Sequence, residues 1–263
     1  LSVGSTTSQS TPVTAGAPIY LTWSPDSTLM AIHHRESLLF RDSFGELFDT
    51  GRSSTSYRVP AISADSKTLA YVADTGSGDQ LIARTIATGN ERELLPVRTE
   101  AAFVFSPSNP EMLATTERPS QRAASYGALS LVDTTTGEAQ VLYDETVFGF
   151  WWSPDGKKIA VVGSGHDSFV WVVIDVETGE ASSVLDFIPS PEFTTYIQFF
   201  DQFSLAQQLW SEDSNALTFA GKRVVDGEPA DDDVAWVMDV TGVREPLAIG
   251  EASLAFFVPT GTR

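Results

Sequence analysis

Phe150-Trp-Trp-Ser-Pro-Asp-Gly-Lys-Lys-Ile-Ala-Val-Val162 is the stretch that decides how this chain folds. The same unit returns as Leu21-Thr-Trp-Ser-Pro-Asp-Ser-Thr-Leu-Met-Ala-Ile32, Pro60-Ala-Ile-Ser-Ala-Asp-Ser-Lys-Thr-Leu-Ala-Tyr71 and Phe103-Val-Phe-Ser-Pro-Ser-Asn-Pro-Glu-Met-Leu-Ala114. Gln208-Leu-Trp-Ser-Glu-Asp-Ser-Asn-Ala-Leu-Thr-Phe219 is a fifth copy, and Ala255-Phe-Phe-Val-Pro-Thr-Gly261 is a worn sixth. A fixed repeat of this kind specifies a stacked or radial array of equivalent units. The motif positions Ser24, Ser63, Ser106, Ser153, Ser211 and Val258 mark the period, and the widest interval separates Ser153 from Ser211.

One copy shows what each unit is. Phe148–Trp152 is a short aromatic run that reads as a first strand. In Ser153-Pro154-Asp155-Gly156 the proline suits the second position of a type I turn and the aspartate the third. Glycine can take the left-handed conformation that follows in a bulged hairpin. Lys158–Val162 returns as an apolar, β-branched second strand, and a loop over 163–167 leads to a third at Ser168–Asp175. The turn Val176-Glu-Thr-Gly179 then opens a fourth, Glu180–Leu185. Equivalent second-hairpin turns stand at Asp42–Gly45, Ile86–Gly89, Asp133–Gly137 and Asp239–Gly242. Four short strands in about 40–50 residues is the size of a propeller blade, and the β-branched, turn-punctuated composition excludes a helical solenoid.

The expected fold is all-β, a six-bladed β-propeller of four-stranded antiparallel blades in one domain. Five blades fall at about residues 17–50, 56–97, 100–144, 147–186 and 206–249. The sixth is split between residues 1–16 and 251–263, so that both termini share one sheet and close the ring, removing two exposed edges. One strand of that split blade is not found in the sequence. Leu1 is not an initiator, so residues are expected to precede it in the natural polypeptide.

Composition narrows the partners. The 35 acidic residues face only 16 lysines and arginines, a formal net charge of -19. Nucleic-acid binding and docking on an anionic membrane both depend on Lys and Arg, so both are excluded as expectations. No apolar run reaches the roughly 18 residues of a membrane span. The absence of cysteine removes disulfides, thiolate catalysis and Cys-ligated metal.

At Trp152-Ser-Pro-Asp-Gly-Lys-Lys-Ile-Ala160 the chain resembles the propeller repeat of TolB and its relatives, a repeat also found in the propellers of prolyl-oligopeptidase-type peptidases. The resemblance runs over essentially the whole chain and departs at Ser108, Glu212 and Val258. It implies a propeller that binds protein partners in the bacterial envelope, periplasmic or extracellular, with no catalytic residue to carry over. The motif aspartates Asp26, Asp65, Asp155 and Asp213 read as turn residues.

The short Ser-Pro-Asp-Gly and Thr-Gly turns lie on one face of such a ring. The variable loops lie on the other, where recognition is usual. The largest departure is the segment from Ile188 to Gln208. Ser190-Pro191-Glu192 is a helix start, and Phe193, Tyr196, Ile197, Phe200 and Phe203 then recur at helical spacing, with Phe199 off the stripe. A short helix from about Pro191 to Ser204 is expected. Its four stripe aromatics would bury roughly 600–1000 Å², too much to leave in water. The stripe reads either as a lid packed on the propeller, with Phe193, Tyr196, Ile197 and Phe200 turned inward, or as a partner-binding surface.

Weaker candidates are Arg118 and Arg122 for an anionic ligand, and the acidic loop Asp226–Asp233, whose spacing does not fit an EF-hand. His33 and His34 end a strand on opposite faces and suit no shared metal, and Gly163-Ser-Gly-His166 is not a nucleophile elbow. The functional expectation is a binding or scaffold domain without catalytic, metal or cofactor site. It is a monomer by default or a subunit of a larger complex with a protein partner. The competing expectation is an enzyme module: a gating propeller of a larger peptidase, or a propeller lyase or lactonase.

Overall fold

A serine and an aspartate two residues apart build the first hairpin of four blades, at Ser24, Ser63, Ser153 and Ser211, while the corresponding turn at Ser106 has no aspartate. Ser153 Oγ donates to Asp155 Oδ1 at 2.7 Å and accepts from the Lys158 N–H at 2.9 Å, while Asp155 Oδ1 accepts from Lys157 N–H at 3.0 Å. The same pair closes at 2.6 Å for Ser24–Asp26, 2.7 Å for Ser63–Asp65 and 2.6 Å for Ser211–Asp213. These bonds satisfy the backbone of a tight turn and are stronger to an ionised acceptor. The Ser24 hydroxyl, then Thr28, hold Asp26 down to about 2. Asp213 is lowered first by Ser211. At Asp65 and Asp155 partial burial pushes upward, and the serine and backbone donors outweigh it, leaving both lowered.

The residue after the aspartate adopts a left-handed backbone: φ is 69° at Gly156, and 61°, 61° and 60° at Ser27, Ser66 and Ser214. Glycine takes this shape freely, whereas serine is strained in it. Two of the serines work between blades: Ser66 Oγ accepts the Asp26 N–H at 3.2 Å, and Ser214 Oγ the Asp155 N–H at 3.1 Å.

The computed structural model describes residues 2–3, 11–12, 16–42, 47–49, 53–204 and 206–258. Blade one comprises Tyr20–Trp23, Leu29–His34, Ser37–Asp42 and Leu47–Asp49. Blade two comprises Ala61–Ile62, Thr68–Asp74, Asp79–Thr85 and Glu91–Pro96. Blade three comprises Ala101–Phe105, Met112–Glu117, Leu129–Asp133 and Ala139–Tyr143. Each is a four-stranded antiparallel sheet in sequence order. Blade four has Val147–Trp152, Lys158–Ser164, Phe169–Asp175 and Ala181–Pro189, close to the bounds expected from its sequence. Blade five has Ala216–Val225, Val234–Asp239 and Leu247–Glu251, with Trp210 bridging to Leu217 as its inner strand.

Blades four and five are not separate. Ala181–Pro189 runs past its hairpin and pairs with the extended Ala216–Val225 from Asp186↔Val224 to Pro189↔Gly221, giving one eight-stranded sheet. Nothing in the repeat announced this junction. The short strand Glu228–Pro229 adds to its edge, so the acidic loop is partly a hairpin. Of the segments expected to form a sixth blade, Ser2–Val3 pairs with Thr11–Pro12 in a separate two-stranded sheet, and Phe257 bridges to Gln208. The turn at residues 43–45, the tail of the sixth repeat at 259–261, and residues 4–10 and 13–15 lie outside the described residues.

Blades three and four, and blades four and five, are tied by inner-strand tryptophans. Trp152 Nε1 donates to the Val104 carbonyl of blade three at 3.1 Å, and Trp210 Nε1 to the Trp151 carbonyl of blade four at 3.0 Å. Two buried apolar clusters run between the blades. One spans blades one to three around Tyr71, Leu69 and Phe103, and the other spans blades three to five around Trp171, Phe150 and Phe219.

Candidate functional site

The insert between blades four and five forms two short helices, not the single one expected. Helix α1 spans Pro191–Gln198 and helix α2 spans Phe200–Phe203, with Phe199 at the break (φ -119°, ψ 29°). Its start follows the sequence: Ser190 Oγ accepts the Phe193 N–H at 3.1 Å, and Pro191 opens the first turn.

Phe193, Tyr196, Ile197 and Phe200 are buried in the fold, so none of the four presents a surface to a partner. Tyr196 stacks on Trp151 at 5.9 Å between centroids and accepts from its Nε1 at 3.0 Å. Phe200 meets Phe150 at 5.0 Å and Tyr126 edge-on at 5.8 Å. Gly149 makes this possible, because a Cβ there would lie 3.2 Å from the Phe200 ring. Phe203, at the end of the stripe, is 36% exposed and Phe199 is 39% exposed.

The break is held by a residue that belongs to no motif of the repeat. Arg58 lies in the linker before the first strand of blade two and is buried. Its Nη1 donates to the Gln198 carbonyl at 2.8 Å, capping the last turn of α1, where a cation is favoured. Its Nε reaches Asp201 Oδ2 at 3.1 Å, and its Nη2 reaches Asp201 Oδ1 at 2.9 Å and Tyr126 Oη at 2.9 Å. The Phe199 ring covers the guanidinium at 5.3 Å. Burial pulls the Arg58 pKa down, but Asp201, Tyr126 and Glu100 together hold it above the ordinary value. Burial also pushes the Asp201 carboxyl up, against the pull of Arg58. Buried pairs of this kind contribute conformational specificity more readily than net stability, and here the pair fixes where α2 sits.

Arg118 joins the same network. Its Nε donates to Glu100 Oε1 at 3.0 Å, Nη1 donates to the Ala123 carbonyl, and the guanidinium lies 5.1 Å from the Tyr126 ring. Its Nε and Nη1 are thus engaged within the protein. Arg122 is exposed in the neighbouring turn and is not brought to the same place. His33 is buried, and His34 leaves the strand beside it. Among the described residues no cluster of His, Asp and Glu is arranged to hold a metal ion.

Beside α2 lies a cavity of about 670 Å³. The inner strands of blades one, two and three supply its wall through Leu21, Trp23, Ile62, Phe103 and Phe105, with Val59 from the linker before blade two. Pro25, Ala64 and Pro107, from the first-hairpin turns, form its mouth, and Asp201, Gln202, Phe203 and Ser204 form its end. Ser204 Oγ is buried there with no hydrogen-bond partner among the described residues. The result is an apolar well, closed by the insert at one end and open toward the short-turn face. Its lining therefore lies among the first-hairpin turns and inner strands and not among the variable loops. The signal that was available lay in the motif, whose turn residues line the mouth.

No family model matches the chain, and no curated protein matches it. Among solved structures, a TolB-type protein from Agrobacterium tumefaciens superposes with a TM-score of 0.56 at 17% identity, covering 91% of this chain and 82% of its own. TolB from Acinetobacter baumannii gives 0.51 at 18% identity over 86% of this chain, which spans 52% of that protein's length. Dipeptidyl peptidase 4 from Porphyromonas gingivalis gives 0.58 at 11% identity over 87% of this chain and 38% of that one. At such identities the likeness is one of fold. No helix among the described residues is long and apolar enough to cross a membrane. Repeated antiparallel sheets, tryptophan ties between inner strands and the superposition on both TolB structures agree: this chain has a TolB-like β-propeller fold.

Proposed function

We propose that this chain is a non-catalytic binding or scaffold propeller of the bacterial envelope, periplasmic or extracellular, with a protein partner that docks at the well. The ring has six blades, the last completed by residues 1–16 and 251–263. The observation that carries the reading is the well itself: about 670 Å³ of mostly apolar wall ending at Asp201, Gln202, Phe203 and Ser204. Concave, largely apolar sites with a few placed polar groups are where proteins take ligands. The ionised turn carboxylates of Asp26 and Asp65 stand beside the mouth, and the chain carries a net charge of -19. A cationic segment that presents one large apolar side chain fits this arrangement.

A peptide-display selection on the wild-type chain and on Ala64→Trp, which narrows the mouth, tests the reading. Selected peptides should be rich in Lys or Arg around an aromatic or aliphatic residue, and should lose roughly tenfold or more in affinity on Ala64→Trp, as blocking a central pocket does. Binders indifferent to Ala64→Trp would overturn it. A second reading, an accessory or gating propeller of a larger enzyme, is supported by the peptidase likeness, in which this chain spans only 38% of the other. A hydrolase domain in the same polypeptide would favour that reading.

A further inference from the structure

Asp201, Asp65 and Asp26 stand at the well, and they differ in what already meets their charge. Asp201 lines the end, but Arg58 Nη2 lies 2.9 Å from its Oδ1 and Arg58 Nε 3.1 Å from its Oδ2, so that charge is matched. Asp65 follows Ala64 at the mouth, and Lys67 Nζ lies 3.2 Å from its Oδ2. Asp26 follows Pro25 at the mouth and meets no lysine or arginine among the described residues. Its partners are Ser24 Oγ at 2.6 Å, Thr28 Oγ1 at 2.8 Å and the Thr28 N–H at 3.0 Å, all on Oδ1, with the Ser66 hydroxyl nearby. The sequence supplies the reason: Thr28 stands two residues after Asp26, where Lys67 stands after Asp65. The Ser24 hydroxyl, then Thr28, hold Asp26 down to about 2, so it is ionised at any ordinary pH. The turn of blade three, Ser106-Pro107-Ser108, has no carboxylate. The unmatched charge at the mouth therefore belongs to blade one.

The same blade carries the indole of the well. Trp152 and Trp210 give their Nε1 donors to carbonyls of the preceding blade at 3.1 and 3.0 Å. Trp23, at the same motif position, is 49% exposed and lines the well, where blades two and three present Ile62 and Phe105. Among aromatic side chains an indole attracts a cation most strongly, through the negative face of its ring system. A cation leaving water loses least where a carboxylate and a ring face meet it. The end of the well offers neither, because Asp201 is already matched by Arg58.

We propose that Trp23 and Asp26 form a subsite for an organic cation, a guanidinium or ammonium carried by the partner segment next to the side chain that enters the well. The inference rests on the reading of the well as the docking site and adds an orientation to it. The cation lies against blade one, and the apolar anchor points toward Phe103, Phe105 and Phe203. Because the mouth is open to solvent, the subsite changes affinity a few-fold and not by orders of magnitude.

Calorimetric titration of a selected Arg-bearing peptide and of its Arg→Gln form tests the subsite. Trp23→Leu and Asp26→Asn should each weaken the Arg peptide roughly threefold to fivefold and leave the Gln peptide nearly unchanged. Trp23→Phe, which keeps a ring face, should fall between the wild type and Trp23→Leu. Asn retains the Oδ1 acceptor of the turn, and Asp213→Asn makes the same change in blade five, away from the well, without effect on either peptide. Asp65→Asn should cost less than Asp26→Asn, and an Arg→Lys peptide should bind better than the Gln form. Equal losses for the Arg and Gln peptides, or a loss at Asp65 that matches the loss at Asp26, overturn the proposal. Should Trp23→Leu fold poorly, the Asp26→Asn titrations decide alone. If no peptide is sensitive to Ala64→Trp, the docking reading fails, and butylguanidinium tests the subsite by itself through the indole N–H signal of Trp23 in NMR. A saturable shift that Asp26→Asn weakens sustains the subsite, and the lack of one overturns it.

Discussion

Blade four and blade five carry the same repeat, yet they are buried differently. In the third strand of blade four, Trp171, Val172, Val173 and Ile174 are buried in succession, as in a strand packed on both faces. In the third strand of blade five only Met238 is buried, and Leu247 and Ile249 in the next strand are 61% and 62% exposed. Blade one shows the mirror situation. Trp152 donates to the preceding blade, whereas Trp23, at the same motif position, is 49% exposed. The repeat therefore specifies hairpins, while neighbours supply the packing. A blade becomes a two-faced core layer only where another blade lies on each side.

The largest test of that contrast lies in the aromatic centre under the insert. Phe193→Ala and Phe200→Ala should each lower stability by about 3–5 kcal/mol, because each fully buried ring leaves a cavity. Leu247→Ala, at a position 61% exposed among the described residues, should stay within about 0.5 kcal/mol unless the sixth blade covers it. Urea denaturation midpoints of the three variants measure both. A loss at Leu247 comparable with that at Phe200 would mean blade five is covered in solution.

Acid should erase the difference between blades, because all four serine–aspartate turns are built alike. Each carboxyl has a folded pKa below its unfolded value near 3.8, so the stability it contributes is complete above that value. It is lost as pH falls through the folded value, about 2 for Asp26. Circular dichroism between pH 5 and pH 1.5 should therefore show one cooperative loss below pH 4. Asp155→Asn should shift stability at pH 7 and flatten that acid dependence. Separate transitions for separate blades would contradict the equivalence.

Trp152→Phe should cost about 0.5–1.5 kcal/mol through its hydrogen bond to Val104, with some lost packing. Trp23→Phe should be nearly neutral if blade one stays open on that side. Ring closure by the terminal segments would make the two substitutions alike, since the repeat aligns Phe256 with Trp151 as the acceptor for Trp23. Thermal denaturation of the pair is sufficient to decide.

The blades were legible because the information is local: Ser-x-Asp at a turn, glycine or serine at a left-handed position, and β-branched runs between. The start of the insert was legible for the same reason, through Ser190 and Pro191. Its break at Phe199 was not, because Arg58 imposes it from a linker some 140 residues away, and a lone arginine among serines reads as solvated. The junction of blades four and five, with pairing from Asp186 to Val224, is likewise a contact between elements that each look complete. The well was half visible: its mouth is made of motif residues, and its end is made of the insert.

The smallest effect isolates one hydroxyl. Ser27 and Ser66 share a left-handed backbone near 61°, which strains any residue but glycine. Ser66→Gly relieves the strain but loses the bond from the Asp26 N–H. Ser27→Gly relieves the same strain, and its equivalent donor would be the Thr260 N–H if the sixth repeat closes the ring in register. With blade one open, Ser27→Gly should be more stable than Ser66→Gly by about 0.5–1 kcal/mol, the worth of one exposed hydrogen bond at most. With the ring closed, the two changes should match. Because glycine adds the same unfolded-state freedom at both sites, that term cancels, and the difference in melting temperature reports whether a sixth blade lies beside blade one.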